Sequence, residues 1–295
     1  RDSSTSRGLG DVYKRQTNIY SDYFKQLDNG HYFKAMVGFN AELYKDRSVS
    51  ADKSTLITPS VPTINTAVGE PSVAGGYRHT SVAGFFARLN WNYKDRYMLE
   101  ANGRYDGSSR FIGDKRWGFF PSGSAGWRIS EENFWKDSKL SNIVNDFKIR
   151  GSYGLLGDDN LGDSYKEFDF MGGYNYKDGG STIDGAYVVG SVPRGLPATT
   201  ISWIKAKILD IGFDVSFLNN RLSGQFDYFR RTRDGLPDRR YDVLIPAEAG
   251  FDLPYENLKS DVHTGYALSI RWNDNVEDFY YSIGVNTVSY THLRA

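Results

Sequence analysis

The sequence predicts an all-β fold: an antiparallel, up-and-down transmembrane β-barrel, of which this chain supplies about ten strands. Three observations lead to this prediction. Apolar and polar residues alternate along most of the chain, many alternating segments are about ten residues or longer, and short and long connections alternate between them. A period of two is typical of strands with one apolar face, and this order of turns and loops is typical of a membrane barrel.

The predicted strands can be justified in chain order. In Phe33–Leu43 every odd-numbered residue is apolar, whereas Lys34, Asn40 and Glu42 fall on the opposite side. Ala83–Tyr93 repeats this pattern, and the later segments follow it. The ten predicted strands are Asn18–Leu27, Phe33–Leu43, Ala83–Tyr93, Tyr97–Asp106, Trp117–Ile129, Phe147–Tyr153, Leu209–Phe217, Leu222–Tyr228, Val262–Trp272 and Phe279–Val285.

The connections predict which end of the sheet faces which side of the membrane. Asn29-Gly30 and Asn219-Asn220 are residues that accept the positive φ of tight hairpin turns. In outer-membrane barrels the short turns face the periplasm and the long loops face outside. Only Ser130–Asp146 is a long connection on the short-turn side. The long loops on the outer side are Tyr44–Ser81, Gly107–Arg116, Gly154–Ser202 and Thr232–Ser260.

A soluble, secreted β-rich module that binds carbohydrate is the alternative, because a sandwich also alternates apolar and polar residues. Its strands are usually shorter, at about 5–6 residues. Aromatic residues near the strand ends also favour the membrane, as interfacial girdles do. These residues are Trp91, Tyr93, Tyr97, Trp127 and Trp272.

Composition excludes several other classes. The chain has 295 residues with 36 basic and 36 acidic side chains, so no excess of positive charge points to nucleic acid. It has no cysteine, which excludes disulfides, thiolate metal sites and a cysteine nucleophile. No apolar run approaches the roughly 20 residues of a membrane helix.

Several separated motifs resemble one family. They are WNYKDRYMLEANGRYDGSSRF (Trp91–Phe111), RWGFFPSGSAGWRISEENF (Arg116–Phe134), DFKIRGSYGLLGDDN (Asp146–Asn160), ILDIGFDVSFLNNRLSGQFDYFRRTRDGL (Ile208–Leu236) and ENLKSDVHTGYALSIRW (Glu256–Trp272). In this order and spacing they are similar to the SusC/RagA family of TonB-dependent outer-membrane transporters. The resemblance implies a 22-stranded barrel with an N-terminal plug, of which this chain is about half or less.

The resemblance also implies a function and partners. The parent protein would import nutrients, oligosaccharides or peptides, across a Gram-negative outer membrane of Bacteroidetes type. A SusD-like surface lipoprotein would form a lid, and TonB would supply the work through an N-terminal part that this chain lacks. No cofactor, no metal and no enzymatic activity are implied.

The domain prediction has three parts. Residues 17–287 are the partial receptor barrel, without a signal peptide, TonB box, plug or closing C-terminal strand. Residues 1–16 and 288–295 break the alternation, and we predict that both are non-native tails derived from an adapter or assembly.

Residues with catalytic or metal-binding chemistry show no recognisable spacing. The four histidines, His31, His79, His263 and His292, are scattered along the chain and match no metal motif. No nucleophile–base pair can be nominated. The sequence therefore predicts a protein that is not an enzyme.

Candidate binding residues lie in the long loops, because loops are where barrels vary. Aromatic faces and charged groups suit sugars or peptides; the candidates are Tyr165, Tyr174, Tyr176, Tyr187, Arg239 and Tyr241. The family motifs are interpreted as structural, and their residues are Asp106, Gly107, Ser108, Ser109, Arg110, Trp117, Pro121, Gly126, Trp127 and Arg128. In Ser130–Asp146 we expect Phe134 and Trp135 to dock against the barrel rim.

Overall fold

The computed structural model describes residues 4–162, 165, 167–246, 248 and 250–294. Residues 1–3 and 295, which belong to the predicted tails, lie outside the described residues. In the described part of the chain, no helix has the length and apolar character needed to cross a membrane.

Ten strands form one antiparallel sheet, in which strands adjacent in the sheet are consecutive along the chain except where a small hairpin intervenes. This confirms the all-β prediction. The strands of the sheet are β1 (Ser4–Gln26), β2 (His31–Ser54), β3 (Pro71–Tyr93), β4 (Tyr97–Ser108), β5 (Trp117–Arg128), β6 (Val144–Asp158), β9 (Ile204–Phe217), β10 (Leu222–Arg239), β11 (Tyr255–Val276) and β12 (Phe279–Arg294).

The intervening hairpin is β7 (Tyr174–Ile183) and β8 (Ala186–Pro193), a separate two-stranded sheet inside the predicted loop Gly154–Ser202. The sequence prediction missed it. Its turn is Asp184-Gly185, with φ of 51° and 79°. An Asp-Gly pair between alternating residues is a strong hairpin signal and was sufficient to predict this element.

Short helical pieces lie in the connections. One α-helical turn, α1 (Asn133–Lys136), lies between β5 and β6. Four 3-10 turns accompany it in the described residues: Ile64–Thr66, Gly113–Lys115, Ile129–Glu131 and Lys139–Asn142.

The tight turns have the backbone that the sequence predicts. Gly30 has φ 89°, and Asn219 and Asn220 have φ 55° and 65°. Lys94 and Asp95 also have positive φ, 51° and 56°, in the three-residue connection between β3 and β4. These turns give adjacent strands their antiparallel register.

The strands on the loop side are longer than predicted. β2 continues to Ser54 and β3 begins at Pro71, so most of the predicted loop Tyr44–Ser81 is paired strand. β10 continues to Arg239 and β11 begins at Tyr255, which shortens the predicted loop Thr232–Ser260. β1 and β12 likewise run through residues 4–16 and 288–294. The non-native origin of these segments stays a prediction.

One face of the sheet is apolar and uncovered. Phe33, Val37, Phe85 and Leu89 are 45%, 60%, 57% and 61% exposed although they all lie within paired strands. We call this the outer face. The opposite, polar side is the lumen face. β1 and β12 each pair with a single neighbour among the described strands, so the sheet is an open wall and not a closed barrel.

The buried core lies at the loop end of the sheet. It is one cluster in which Phe111 is 0% exposed and Ile201 1%. The other buried members are Phe120, Leu161, Tyr165, Ala198, Trp203 and Ile204. The core therefore attaches the long loop between β6 and β9 to the β4–β5 connection.

Candidate functional site

The lumen face carries charged groups paired with one another. On β6, Arg150 lies among three carboxylates from β9 and β10, with nitrogen–oxygen distances of 3.6 Å to Asp210, 3.2 Å to Asp214 and 2.6 Å to Asp227. On β4, Glu100 accepts hydrogen bonds from Asn90 at 2.5 Å and Asn102 at 2.7 Å. A wall of this kind suits a polar lumen filled with water.

The DGSSR motif lies where β4 ends at the outer rim. Asp106 accepts two hydrogen bonds from Arg104, at 3.0 and 2.9 Å. Ser108 is fully buried and donates to Asp159 Oδ2 at 2.6 Å, which ties the start of the long loop to β4. Ser109 exchanges two hydrogen bonds with Ser81 on β3, both 2.9 Å.

Arg110 extends this attachment along the loop. Its guanidinium lies 3.8 Å from Asp159 and 3.6 Å from Glu167, and its carbonyl accepts a hydrogen bond from the Tyr165 hydroxyl at 2.8 Å. The motif therefore contacts the loop through side chains and backbone together.

The remaining motif residues lie along β5. The Trp117 ring stacks on Tyr105 with 5.0 Å between the ring centres. It also lies against Gly107, where an added Cβ would be 2.7 Å from the indole. Pro121 comes just before the point where β5 begins to pair with β6, as expected for a residue without a backbone donor.

Near the short turns, Gly126 leaves room for Lys148, 3.3 Å from the position of its missing Cβ. Trp127 Nε1 donates to Glu132 at 3.1 Å, and Arg128 lies 3.5 Å from Asp146. These contacts hold the Ser130–Asp146 segment to the sheet.

The structure separates the five tyrosines among the candidate binding residues into two groups. Tyr174, Tyr176, Tyr187 and Tyr241 are 72%, 89%, 82% and 90% exposed at the loop end of the molecule. Tyr165 is only 3% exposed, and burial raises the pKa of its phenol to about 12. Its place in the loop core does not favour substrate contact, which stays a prediction for all of these residues.

Two long loops meet around a polar hollow of about 490 Å³. Tyr165 and Arg194 line it from the β6–β9 connection, and Arg239 and Tyr255 line it from the β10–β11 side. Arg239 pairs with Asp252 at 2.8 Å and lies 5.0 Å from the centre of the Tyr255 ring. Paired charges beside aromatic faces can bind polar ligands such as sugars or peptides.

Two of the histidines that are scattered in the sequence lie together in the structure. His263 and His292 stack at 4.0 Å between ring centres, and each Nε2 is 3.7 Å from Asp261 Oδ2. The three side chains are close enough to share a metal ion. Asp261, however, already accepts hydrogen bonds at 2.9 and 3.1 Å from Arg233, a cation that competes with a metal for the same oxygens.

An open antiparallel wall with an uncovered apolar face and an ion-paired polar face defines part of a β-barrel of the outer membrane. The chain belongs to the TonB-dependent receptor β-barrel family: the family model described as "TonB dependent receptor-like, beta-barrel" matches residues 1–295. This confirms the predicted outer-membrane location, and the similarity to SusC and RagAB given below confirms the resemblance to SusC/RagA transporters.

Two relatives of known family support this family assignment. The chain is 32% identical over 292 residues to the TonB-dependent receptor SusC of Bacteroides thetaiotaomicron, covering 96% of this chain and 28% of the relative. It is 28% identical to the TonB-dependent receptor P26 of Formosa agariphila, covering 84% of this chain and 24% of the relative. The chain thus spans about a quarter of the length of these receptors.

Solved structures share the fold. The RagAB peptide importer in its open-open state matches with a TM-score of 0.78 and 21% identity, over 99% of this chain and 31% of that chain. Another structure of the RagAB peptide transporter matches with a TM-score of 0.77 and 20% identity, over 98% of this chain and 31% of that chain.

Proposed function

We propose that this chain forms part of the wall and external loops of an importer that carries nutrients across the outer membrane. The observation that carries this proposal is the division of one sheet into an uncovered apolar face and a lumen face of paired charges. Lipid covers the first, and a polar solute passes along the second.

The proposed substrates are oligosaccharides or peptides. The hollow between the long loops offers the aromatic ring of Tyr255 and the paired charges of Arg239 and Asp252. Four exposed tyrosines stand on the same side of the molecule: Tyr174, Tyr176, Tyr187 and Tyr241. The solved RagAB structures are described as a peptide transporter and a peptide importer, which supports a peptide as one of the two classes.

The proposed partners are a SusD-like lipoprotein that covers the external loops and TonB, which contacts the importer through segments outside this chain. Support for the lipoprotein comes from the similarity to SusC and RagAB. Affinity purification of a complete barrel that includes this chain would test it: a co-purifying surface lipoprotein is expected, and its consistent absence would contradict the proposal.

Uptake by the complete barrel tests the function itself. Cells that express it with a working TonB system are offered labelled oligosaccharides and labelled peptides, and accumulation is measured. We expect uptake of one class, reduced in Arg239→Ala and unchanged in Lys115→Ala, an exposed cation of another loop. Uptake of neither class would contradict the proposal.

The soluble carbohydrate-binding module needs its apolar face buried inside the molecule. Residues such as Val37 and Leu89, 60% and 61% exposed, show the reverse arrangement. The structure therefore favours the importer over this alternative.

A further inference from the structure

The connection Ser130–Asp146, here called the rim segment, lies on the outer face of the sheet at the end with the short turns. The outward-pointing side chains Tyr97 and Trp127 both donate to the Glu132 carboxylate, at 2.6 and 3.1 Å. Arg96 adds an ion pair to the same carboxylate at 3.5 Å. The hydrogen bonds from Tyr97 and Trp127 hold the pKa of Glu132 below its ordinary value, so it remains a charged acceptor.

A second contact fixes the other half of the rim segment. The Trp135 ring stacks on Phe147 of β6 at 5.7 Å between centres, and its Nε1 donates to the Val144 carbonyl at 3.4 Å. Phe147 in turn neighbours Phe213 at 6.2 Å, within the outer face. Trp135 therefore docks on the rim, as the sequence predicts.

Phe134 does not dock on the sheet, in contrast to the prediction. It is 61% exposed, and two further apolar residues of the rim segment, Leu140 and Ile143, are 54% and 57% exposed. Leu140 belongs to the 3-10 turn Lys139–Asn142, and Ile143 caps its C-terminal end with a helical backbone. Because a 3-10 helix has three residues per turn, these two residues, three positions apart, lie on one side of it. The segment thus presents apolar side chains that the protein does not cover.

The depth of Phe134, Leu140 and Ile143 relative to the membrane follows from the aromatic side chains that hold the rim segment. Tyrosine and tryptophan at barrel rims mark the boundary between hydrocarbon and headgroups. Because Tyr97 and Trp127 hold Glu132 from the outer face, the rim segment lies at this boundary and outside the barrel wall. Its apolar side chains are continuous with the face that lipid already covers.

We propose that the rim segment is a lipid-binding element that inserts Phe134, Leu140 and Ile143 into the membrane leaflet on the side of the short turns. The polar residues Lys136, Asp137 and Lys139 are exposed in the same segment and remain in the headgroup or water layer. An amphipathic segment lying in the interface in this way anchors the rim at a fixed depth.

Depth-dependent quenching tests this proposal. The chain has no cysteine, so Phe134→Cys, Leu140→Cys and Ile143→Cys each add one labelling site to it. Each variant is prepared in the complete barrel with other cysteines replaced, labelled with an environment-sensitive fluorophore and reconstituted in phospholipid vesicles. We expect loss of fluorescence with nitroxide lipids and resistance to aqueous iodide at all three positions.

Two control positions define the signals expected for a side chain in lipid and for a side chain in water. Val37→Cys, on the outer face of β2, should show the lipid-quenched behaviour, and Asp137→Cys, on the rim segment itself, should be quenched by iodide. Iodide quenching at Phe134, Leu140 and Ile143 equal to that at Asp137 would overturn the proposal. Shielding that arises only when a periplasmic protein is added would overturn it as well, because the occupant would then be a protein.

Discussion

At the scale of single residues, close contacts on the lumen face depend on glycine. Gly84 of β3 pairs with Asp106 of β4, and a Cβ at Gly84 would overlap the Asp106 carboxylate. Asp106 is 8% exposed and held by Arg104, so it has little freedom to move away. The side chain of Asp106 occupies the space that glycine leaves.

We predict that Gly84→Ala destabilises the complete barrel by about 1–3 kcal/mol, the usual cost of overpacking a fixed site. The measurement is denaturant unfolding in detergent, followed by tryptophan fluorescence. Gly75→Ala, in the same strand, is the matched control because its nearest neighbour is 3.8 Å away. Equal effects of the two substitutions would contradict the prediction.

Tyr165 predicts a dependence on alkaline pH. Burial raises the pKa of this phenol to about 12 in the folded loop, whereas an unfolded tyrosine titrates near 10. The folded state therefore favours the neutral phenol. Its contribution to stability is complete below about pH 10 and is lost as the pH rises towards 12.

Alkaline titration of the tyrosinate absorbance measures this effect. In the complete barrel, Tyr165→Phe should remove one phenol from the late part of the titration. If Tyr165→Phe leaves the late part of the titration unchanged, the assigned pKa shift is wrong.

At the scale of elements, the positions of the ten strands of the main sheet were predictable from the sequence and the strand ends were not. The alternation that defines Phe33–Leu43 fades after Tyr44, yet β2 stays paired with β3 up to Lys53. Apolar residues alternate only where one face of a strand meets lipid. A hairpin that extends beyond the membrane keeps its backbone hydrogen bonds, but its side chains no longer have to alternate. The sequence pattern thus located the membrane-facing part of each strand.

The attachment of the long loop gives a prediction for an element. Asp159→Ala removes the carboxylate that accepts from the buried Ser108, and a charged hydrogen bond contributes about 1.5–3 kcal/mol. We expect limited proteolysis between residues 159 and 203 to become faster. Ser108→Ala should act similarly, and Asp114→Ala, with a side chain 84% exposed, should not. Unchanged cleavage in both variants would show that the apolar cluster alone holds the loop.

At the scale of the whole molecule, the open sheet determines how this chain behaves on its own. β1 and β12 have free edges within the described sheet, and the outer face exposes large apolar side chains. Free edges pair with other chains, and lipid cannot satisfy their backbone groups.

We therefore predict that the isolated chain aggregates or forms inclusion bodies when it is expressed without detergent. Sedimentation and size-exclusion chromatography with and without detergent measure this. A soluble monomer with a cooperative thermal transition would contradict the partial-barrel assignment for the isolated chain.

The sequence by itself determined the all-β class, the ten strands of the main sheet and the face that meets lipid, because period-two alternation and local turn residues are encoded within a few residues. The family came from a resemblance of several separated motifs. Only the tertiary structure decided which side chains meet across distant strands. Three such contacts join residues that lie between 29 and 77 positions apart in the chain: Arg150 with its three carboxylates, Ser108 with Asp159, and His263 with His292. Such contacts depend on register and on the path of the long loops, and alternation specifies neither.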